Sequence, residues 1–258
     1  MLSRAEERLV QNLARRKHRA RSGLLLAEGV RVIEELLSAG IVPRLALISS
    51  SLEDTDRGRG LLARLGAVAE VVRRLDSGEL NRLASTESSQ GVLVVAEAPA
   101  SELGAVEVEG AATALVLDGV QDPGNLGTLV RSAAGFDVDV VACLPGTVDP
   151  WNPKAIRASA GALFRLPIVQ PDEATLWEWL DARGFALLGA DAAGDPAEAV
   201  PMPQRVALAV GNEGAGLSAA VRAHCTRLVA VPMLGGTESL NVAVAGAILL
   251  YLITRGRG

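Results

Sequence analysis

The sequence predicts an α/β protein in two parts, a small α/β unit followed by a larger one built on a mostly parallel sheet. Three observations carry this expectation. From residue 115 onward, short apolar runs alternate with helical patterns, and that alternation places parallel strands beneath covering helices. Residues 22–96 show a shorter strand and helix pattern of their own. Between the two, residues 97–112 are rich in Ala, Glu, Gly and Pro with weak periodicity, the mark of a linker. The expected division is therefore residues 1–97, a linker over 98–112, and residues 113–258.

The first 22 residues are the most basic stretch, with Arg4, Arg8, Arg15, Arg16, Lys17, Arg19 and Arg21 against Glu6 and Glu7. At helical spacing Arg4, Arg8, Arg15 and Arg19 form one stripe, opposite Leu2, Leu9, Val10 and Leu13. A single amphipathic helix with a basic face is expected, either a solvated surface or a phosphate-binding one. Residues 24–27 read as a strand. A helical pattern through Val30, Ile33, Leu36 and Leu37 then stops at Gly40. Residues 45–48 and 91–95 are further strands, with a helix over 61–65. In the second part, the strands are 115–117, 138–143, 186–188, 206–210 and 228–231. The apolar segment 242–253 reads as a buried helix.

Composition narrows the function classes. With 49% apolar and 21% charged residues in a chain of 258, the sequence has material for a real core and is neither disordered nor supercharged. Its longest apolar run falls short of the ~20 residues that a membrane helix needs. The N-terminus begins with charged residues rather than a signal-like apolar stretch, so a cytoplasmic location is expected. Cys143 and Cys225 are not spaced as CxxC and read as small hydrophobes. With only His18 and His224 besides, no metal site is expected. His18 reads as solvent-side, His224 and Cys225 as packing residues, and Trp151, Trp177 and Trp179 as packing rather than base-stacking groups.

In parallel sheets, ligands sit beyond the carboxyl ends of the strands, and three such loops are unusual. The first, DGVQDPGNLG at 118–127, enters a helix in which Asn125 is positioned to cap and Arg131 lies nearly two turns further on. The second, GNEGAGLS at 211–218, has glycines that permit positive φ and close backbone approach to a ligand. Its GxxGxG spacing differs from the dinucleotide fingerprint, and Val231 stands where a ribose-binding acid belongs, which argues against NAD. No GK[ST] follows a glycine turn, so a P-loop is excluded as well. The third, PMLGGTESLN at 232–241, brings the polar groups of Ser239 and Asn241 to the start of the apolar helix.

In order, spacing and context, these loops resemble the three signature motifs of the SpoU/TrmH branch of the SPOUT methyltransferases, with NLGTLVRSA at 125–133, GNEG at 211–214 and 232–243 as the matching segments. RASAGA at 157–162 resembles the family's connecting helix, extending the match over 113–255. LLAEG at 25–29 resembles the ribosomal-protein-like RNA-binding domain often fused in front.

The resemblance implies methyl transfer from S-adenosylmethionine to a ribose 2′-hydroxyl in structured RNA, with ribosomal RNA favoured over transfer RNA. It also implies a C-terminal trefoil knot and a homodimer with interfacial active sites. By the same resemblance the cofactor is held around Gly211, Gly214, Val231, Leu234 and Leu240. Arg131 is the principal catalytic candidate, with Asn125, Glu213, Ser239 and Asn241 orienting ribose, arginine and loops. Some family members treat the equivalent arginine as a base. A guanidinium with a pKa above ~12 suits positioning better, clamping the phosphate beside the target ribose while water or a phosphate oxygen takes the proton. The basic run Arg15, Arg16, Lys17, Arg19 and Arg21 gains weight as an RNA contact. The alternatives are an RNA-binding, ribosome-associated protein without catalysis, and methylation at a base nitrogen by the same fold.

Overall fold

A computed structural model describes residues 2–84, 89–233, 235 and 239–255. The chain divides into two compact units, Met1–Pro99 with Trp151–Arg165, and Ala100–Pro150 with Leu166–Gly258.

The first unit opens with two helices, α1 (Arg4–Leu13) and α2 (Arg16–Ser22), where the sequence pattern predicts one. Ser3 and Glu6 start α1 with a reciprocal capping box. The helix buries Val10 and Leu13 and ends at Ala14, after which Arg15 is extended. The break has a cause in Arg19. Its side chain is only 4% exposed, and its Nη1 donates to the Leu13 carbonyl at 2.7 Å, satisfying one of the acceptors that a helix end leaves open. Arg19 therefore leaves the expected RNA-contacting set, whereas Arg15, Arg16, Lys17 and Arg21 are exposed.

The sheet of this unit has the order β1-β4-β2-β3, from β1 (Leu24–Glu28), β2 (Pro43–Ile48), β3 (Val72–Arg74) and β4 (Val92–Glu97). Three helices belong with it: α3 (Val30–Ser38), α4 (Asp56–Val68) and α5 (Ser77–Leu83). β4 pairs antiparallel with β1 and β2, and β3 joins β2 in parallel. On one face, Leu24, Leu26, Leu45, Leu47, Leu93 and Val95 pack with Val10 and Leu13 of α1. The short β3 and α5 have too few apolar positions for periodicity to reveal them.

The second unit is built on a fully parallel sheet of order β10-β8-β9-β5-β6-β7. Its strands are β5 (Ala112–Leu117), β6 (Val140–Cys143), β7 (Ile168–Val169), β8 (Ala186–Pro196), β9 (Arg205–Val210) and β10 (Arg227–Ala230). The residues of β5 are buried throughout, as a central parallel strand requires. Its helices are α6 (Pro123–Gly135), α8 (Glu173–Ala182), α9 (Ala219–His224) and α10 (Val242–Arg255). Helix α7 (Pro153–Ala158), between α6 and α8 in the chain, belongs to the first unit.

Two segments differ from the expected boundaries. Leu103 and Val106, within the expected linker, are buried in the core of the second unit. The segment Trp151–Arg165, expected inside the larger domain, groups with the first unit. There Gly161 approaches α3 so closely that a Cβ would lie 2.5 Å from that of Glu35, and Arg165 forms a two-pronged ion pair with Glu35 at 2.6 Å.

The remaining aromatic and thiol groups are structural. Trp151 stacks on Phe164 and Trp179 on Phe185. His224, expected among packing residues, is exposed, and its ring lies 4.4 Å from that of Trp177. Burial pushes the Cys143 thiol up to about 12 and the Cys225 thiol to about 11, so both stay protonated at neutral pH.

The tie between α1 and α2 is testable. Arg19→Ala should lower unfolding stability in urea by roughly 1.5–3 kcal/mol, the range for a hydrogen bond to a charged group. Arg16→Ala, on the exposed side of the same helix, should stay within about 0.5 kcal/mol of the parent. Equal effects would show that the burial of Arg19 is not what joins the helices.

Candidate active site

Because β5 and β9 are neighbours paired from Ala112↔Arg205 to Leu117↔Val210, the loops that follow them meet at one sheet edge. The first loop is anchored beneath by buried polar groups. Asp118 accepts from the Ser218 amide at 2.6 Å. Thr147 accepts from the Gly119 amide at 3.0 Å while its hydroxyl donates to the Leu117 carbonyl. Gly119 stands at φ +72°, a conformation that its lack of a Cβ permits. Helix α6 then starts at Pro123, and its cap is Asp122, which accepts from the Asn125 amide at 3.0 Å. Asn125, expected to cap, lies inside the first turn because proline at the first helical position moves the cap upstream. Its side chain is thereby available for other partners.

The second loop closes on itself. Asn212 and Gly216 exchange both backbone hydrogen bonds, at 2.9 and 3.0 Å. A Cβ on Gly211 would lie 2.3–2.4 Å from the backbone of Gly216 and Leu217, so this turn requires glycine there. The Asn212 side chain accepts from the Gly214 and Ala215 amides, and its Nδ2 donates to the Gly119 carbonyl at 2.9 Å, tying the second loop to the first.

Glu213 makes a stronger tie. Its carboxylate accepts from the amides of Gln121 and Asp122 at 3.1 and 3.0 Å and from Asn125 Nδ2 at 3.0 Å. Partial burial pushes the pKa of this carboxyl up, but the hydrogen bonds from Asn125, Asp122 and Gln121 outweigh it and hold the group below its ordinary value. It is therefore a carboxylate at neutral pH, placed at the positive end of α6.

The third loop joins through Asn241. Its Oδ1 accepts from the Ala243 and Val244 amides at the start of α10, and its Nδ2 donates to Asn125 Oδ1 at 3.1 Å. Asn125 thus stands between Glu213 and Asn241, one amide linking all three loops. Helix α10 is set close to the sheet by Gly246, where a Cβ would meet Leu129 of α6 at 2.4 Å and Val210 of β9 at 3.5 Å.

Beside this network lies a cavity of about 170 Å³. Its walls include Gly211, Val231, Leu240 and Leu249, and Glu213, Ser239 and Asp191 add polar groups. Asp191 is fixed by the Ala193 amide at 2.9 Å and by an ion pair with Arg222, and hydrogen bonding to Ala193 before all else keeps its pKa low. Apolar walls that include Gly211, together with the polar groups of Glu213, Ser239 and Asp191, suit a ligand with an aromatic part and hydroxyl or cationic groups. S-adenosylmethionine has that character.

The structure thus brings Gly211, Val231, Leu240, Glu213 and Ser239 to one cavity, with Asn125 and Asn241 bracing its loops. Gly214 is absent from the wall, since its amide serves the Asn212 turn. Leu234 lies outside the described residues. Arg131 is exposed on α6 and has no hydrogen bond or ion pair among the described residues. Sequence reasoning passed over Asp118, Thr147, Asp191 and Asn212. For Asn212 the signal was present, an amide one position before the bracing glutamate in a turn too tight for a side chain at Gly211. Asp191 had none, because it lies in the middle of an extended strand of mostly small residues. Among the described residues, no group of three or more His, Cys, Asp or Glu side chains is placed to hold a metal ion, and no helix is long and apolar enough to cross a membrane.

Comparison with known proteins places this arrangement. Residues 112–251 match the model of the SpoU rRNA Methylase family, and residues 8–94 match an MRM3-like substrate binding domain. The 23S rRNA (guanosine(2553)-2'-O)-methyltransferase RlmP of Bacillus subtilis is 34% identical over 243 residues, covering 93% of this chain and 92% of that relative. The 23S rRNA (uridine(2479)-2'-O)-methyltransferase of Streptomyces viridochromogenes is 33% identical over 255 residues, 95% of this chain and 87% of the relative. The crystal structure of the SpoU methyltransferase AviRb from Streptomyces viridochromogenes in complex with AdoMet superposes with a TM-score of 0.86 at 31% identity, covering 98% of each chain.

Two variants test the bracing. Gly211→Ala forces backbone apart and should cost about 1–3 kcal/mol of stability, as overpacking does, read from denaturation midpoints. Glu213→Gln should destabilise the chain in a pH-dependent way. A depressed carboxylate stabilises the folded state above its ordinary value of 4.5 and loses that contribution as pH falls through the lower folded value. The stability gap between parent and Glu213→Gln should therefore be constant near neutrality and shrink below that value. A gap independent of pH would contradict the ionised brace.

Proposed function

The chain belongs to the SpoU rRNA methylase family, and from that premise we propose that it methylates a ribose 2′-hydroxyl of 23S ribosomal RNA with S-adenosylmethionine as donor. The observation that carries this reading is the cavity braced by the Glu213–Asn125–Asn241 chain at the sheet edge where the three motif loops meet. The two curated relatives are named for different target nucleotides, a guanosine and a uridine, so membership alone assigns none.

In this reading Gly211, Val231 and Leu240 hold the donor, which supplies an electrophilic methyl group when bound. The chain's own part is to present the hydroxyl and to manage its proton. A ribose hydroxyl is a weak nucleophile, so alignment with the methyl carries much of the rate. Arg131 makes no ion pair among the described residues and clamps the phosphate beside the target ribose, with charge-assisted, two-pronged hydrogen bonds suited to that group. The proton passes to a phosphate oxygen or to water, since a guanidinium is a poor acceptor. Glu213, Asn125, Ser239 and Asn241 keep the loops and the arginine-bearing helix in register.

Four further features belong to the proposal. A homodimer covers α10, whose Val244 and Tyr251 are 47% and 44% exposed, and completes the site. The C-terminal segment threads its own loop as a trefoil. A cytoplasmic location follows from a ribosomal substrate, and the exposed cations Arg15, Arg16, Lys17 and Arg21 contact RNA phosphates.

Incubation with labelled S-adenosylmethionine and unmodified 23S rRNA should yield alkali-resistant dinucleotides, because a 2′-O-methyl blocks hydrolysis of the following phosphodiester. Label without alkali resistance would indicate methylation of a base instead. Arg131→Ala should lower transfer by about 10²-fold or more while leaving donor affinity unchanged. Full activity in that variant would remove Arg131 from the mechanism.

A further inference from the structure

Within the first unit, a cavity of about 210 Å³ is lined by Glu28, Gly29, Arg31, Gln90, Arg157 and Ala160 among others. Its backbone is unusual. Three non-glycine residues among those described adopt positive φ, and two of them, Gln90 at +52° and Ala160 at +51°, line this one cavity. Gly29, at φ +93°, makes a third left-handed position on the same wall. Such strain persists where the surroundings enforce it, and it concentrates at ligand sites. The enforcing contacts are visible: Gln90 Oε1 accepts from the Val30 amide at 2.9 Å, and the segment bearing Ala160 is fastened to α3 through Gly161 and the Arg165–Glu35 pair.

The polar groups on the wall are of two kinds. Glu28 is a carboxylate only 4% exposed, ion-paired with Arg157 Nη1 at 4.0 Å, and both residues have further interactions within the fold. Opposite in chemistry stand two donors, the exposed Arg31 guanidinium, with no ion pair or hydrogen bond among the described residues, and Gln90 Nε2. A carboxylate has about four acceptor sites, so it can take a ligand's N–H groups in addition to its partners in the fold.

We propose that this cavity is a guanine-binding subsite for the substrate RNA. Guanine carries the acceptors N7 and O6 next to the donors N1–H and N2–H₂. An arginine fork pairs with the first two, and a carboxylate with the second two. Adenine presents an amino group where the arginine requires an acceptor, uracil lacks an adjacent acceptor pair, and cytosine, whose N3 and O2 are both acceptors, lacks the adjoining N–H pair that the carboxylate requires. The inference rests on the reading of RNA as substrate, since unpaired bases of loops are what proteins read in structured RNA.

The test is calorimetric or saturation-transfer titration of the full chain with 5′-GMP, 5′-AMP and inorganic phosphate, with S-adenosylmethionine affinity measured on the same samples. GMP should bind at least roughly fivefold more tightly than AMP, in keeping with the discrimination of a two-pronged base contact. Phosphate alone should not displace it. Arg31→Ala, at an exposed position that leaves the core untouched, should erase the preference, and Glu28→Gln should do the same where it folds. Absence of saturable GMP binding at low millimolar concentration, equal affinity for AMP, displacement by phosphate, or an undiminished preference in Arg31→Ala would each overturn the subsite. Any of these with donor binding intact overturns the subsite alone, whereas loss of donor binding in the parent chain strikes the methyl-transfer reading.

Discussion

The second unit depends on one carboxylate. Glu213 leaves the turn after β9 and accepts three N–H groups from the loop and helix after β5, two of them main-chain amides at the start of α6. Hydrogen bonds to a charged group contribute on the order of 1.5–3 kcal/mol when shielded and less where the carboxylate is exposed, as Glu213 is, and the helix end adds favourable potential. Two loops that could each adopt many shapes are thereby held to one. The amide of Asn125 extends the constraint to Asn241 and so to α10, which Gly246 lets settle against Leu129 and Val210. The cavity lies beside this bracing, with Gly211 of the glycine turn and Leu249 of α10 among its walls, and the carboxylate adds to the contacts of Asn212 and Gly246 that position those two elements.

Below the bracing layer, the sheet provides the reason that the loops meet at all. With every strand parallel, all carboxyl ends lie on one edge, and the adjacency of β5 and β9 puts the first two loops side by side. Asp118 and Thr147, both buried, satisfy the amides of Ser218 and Gly119 at that edge. Polar groups so enclosed are costly unless paired, which makes the foundations of the loops rigid even where the loops carry glycine. The exposed cations are distributed differently. Many arginines of the first unit are engaged with carboxylates, as Arg57 is with Glu34, Arg73 with Glu6 and Arg165 with Glu35. Arg15, Arg16, Lys17 and Arg21 stand exposed in a chain of net charge −5, so a local positive surface is compatible with an acidic protein.

Much of this was legible from residues alone, and the misses have physical reasons. Apolar runs located the principal strands, because fully buried parallel strands need little else. The three loops announced themselves through glycine, proline and small amides in a strand-loop-helix context, and the family resemblance rested on them. The division between α1 and α2 was hidden because Ala, Arg and Lys all favour helix, and only the burial of Arg19 reveals the turn. The capping role passed from Asn125 to Asp122 because two good caps stood three residues apart, and Pro123 decided between them. The two-residue strand β7 is too short to carry a period. The alliance of Trp151–Arg165 with the first unit depends on a contact between Gly161 and Glu35, residues distant in sequence, which no local pattern records.

The most direct test of the braced cavity as the donor site is a crystal structure of the chain with S-adenosylhomocysteine. The adenine should lie against Gly211, Val231 and Leu240, with Glu213 still bound to Gln121, Asp122 and Asn125. Ligand density elsewhere on the second unit, or a Glu213 released from those three partners when the ligand is bound, would contradict the account.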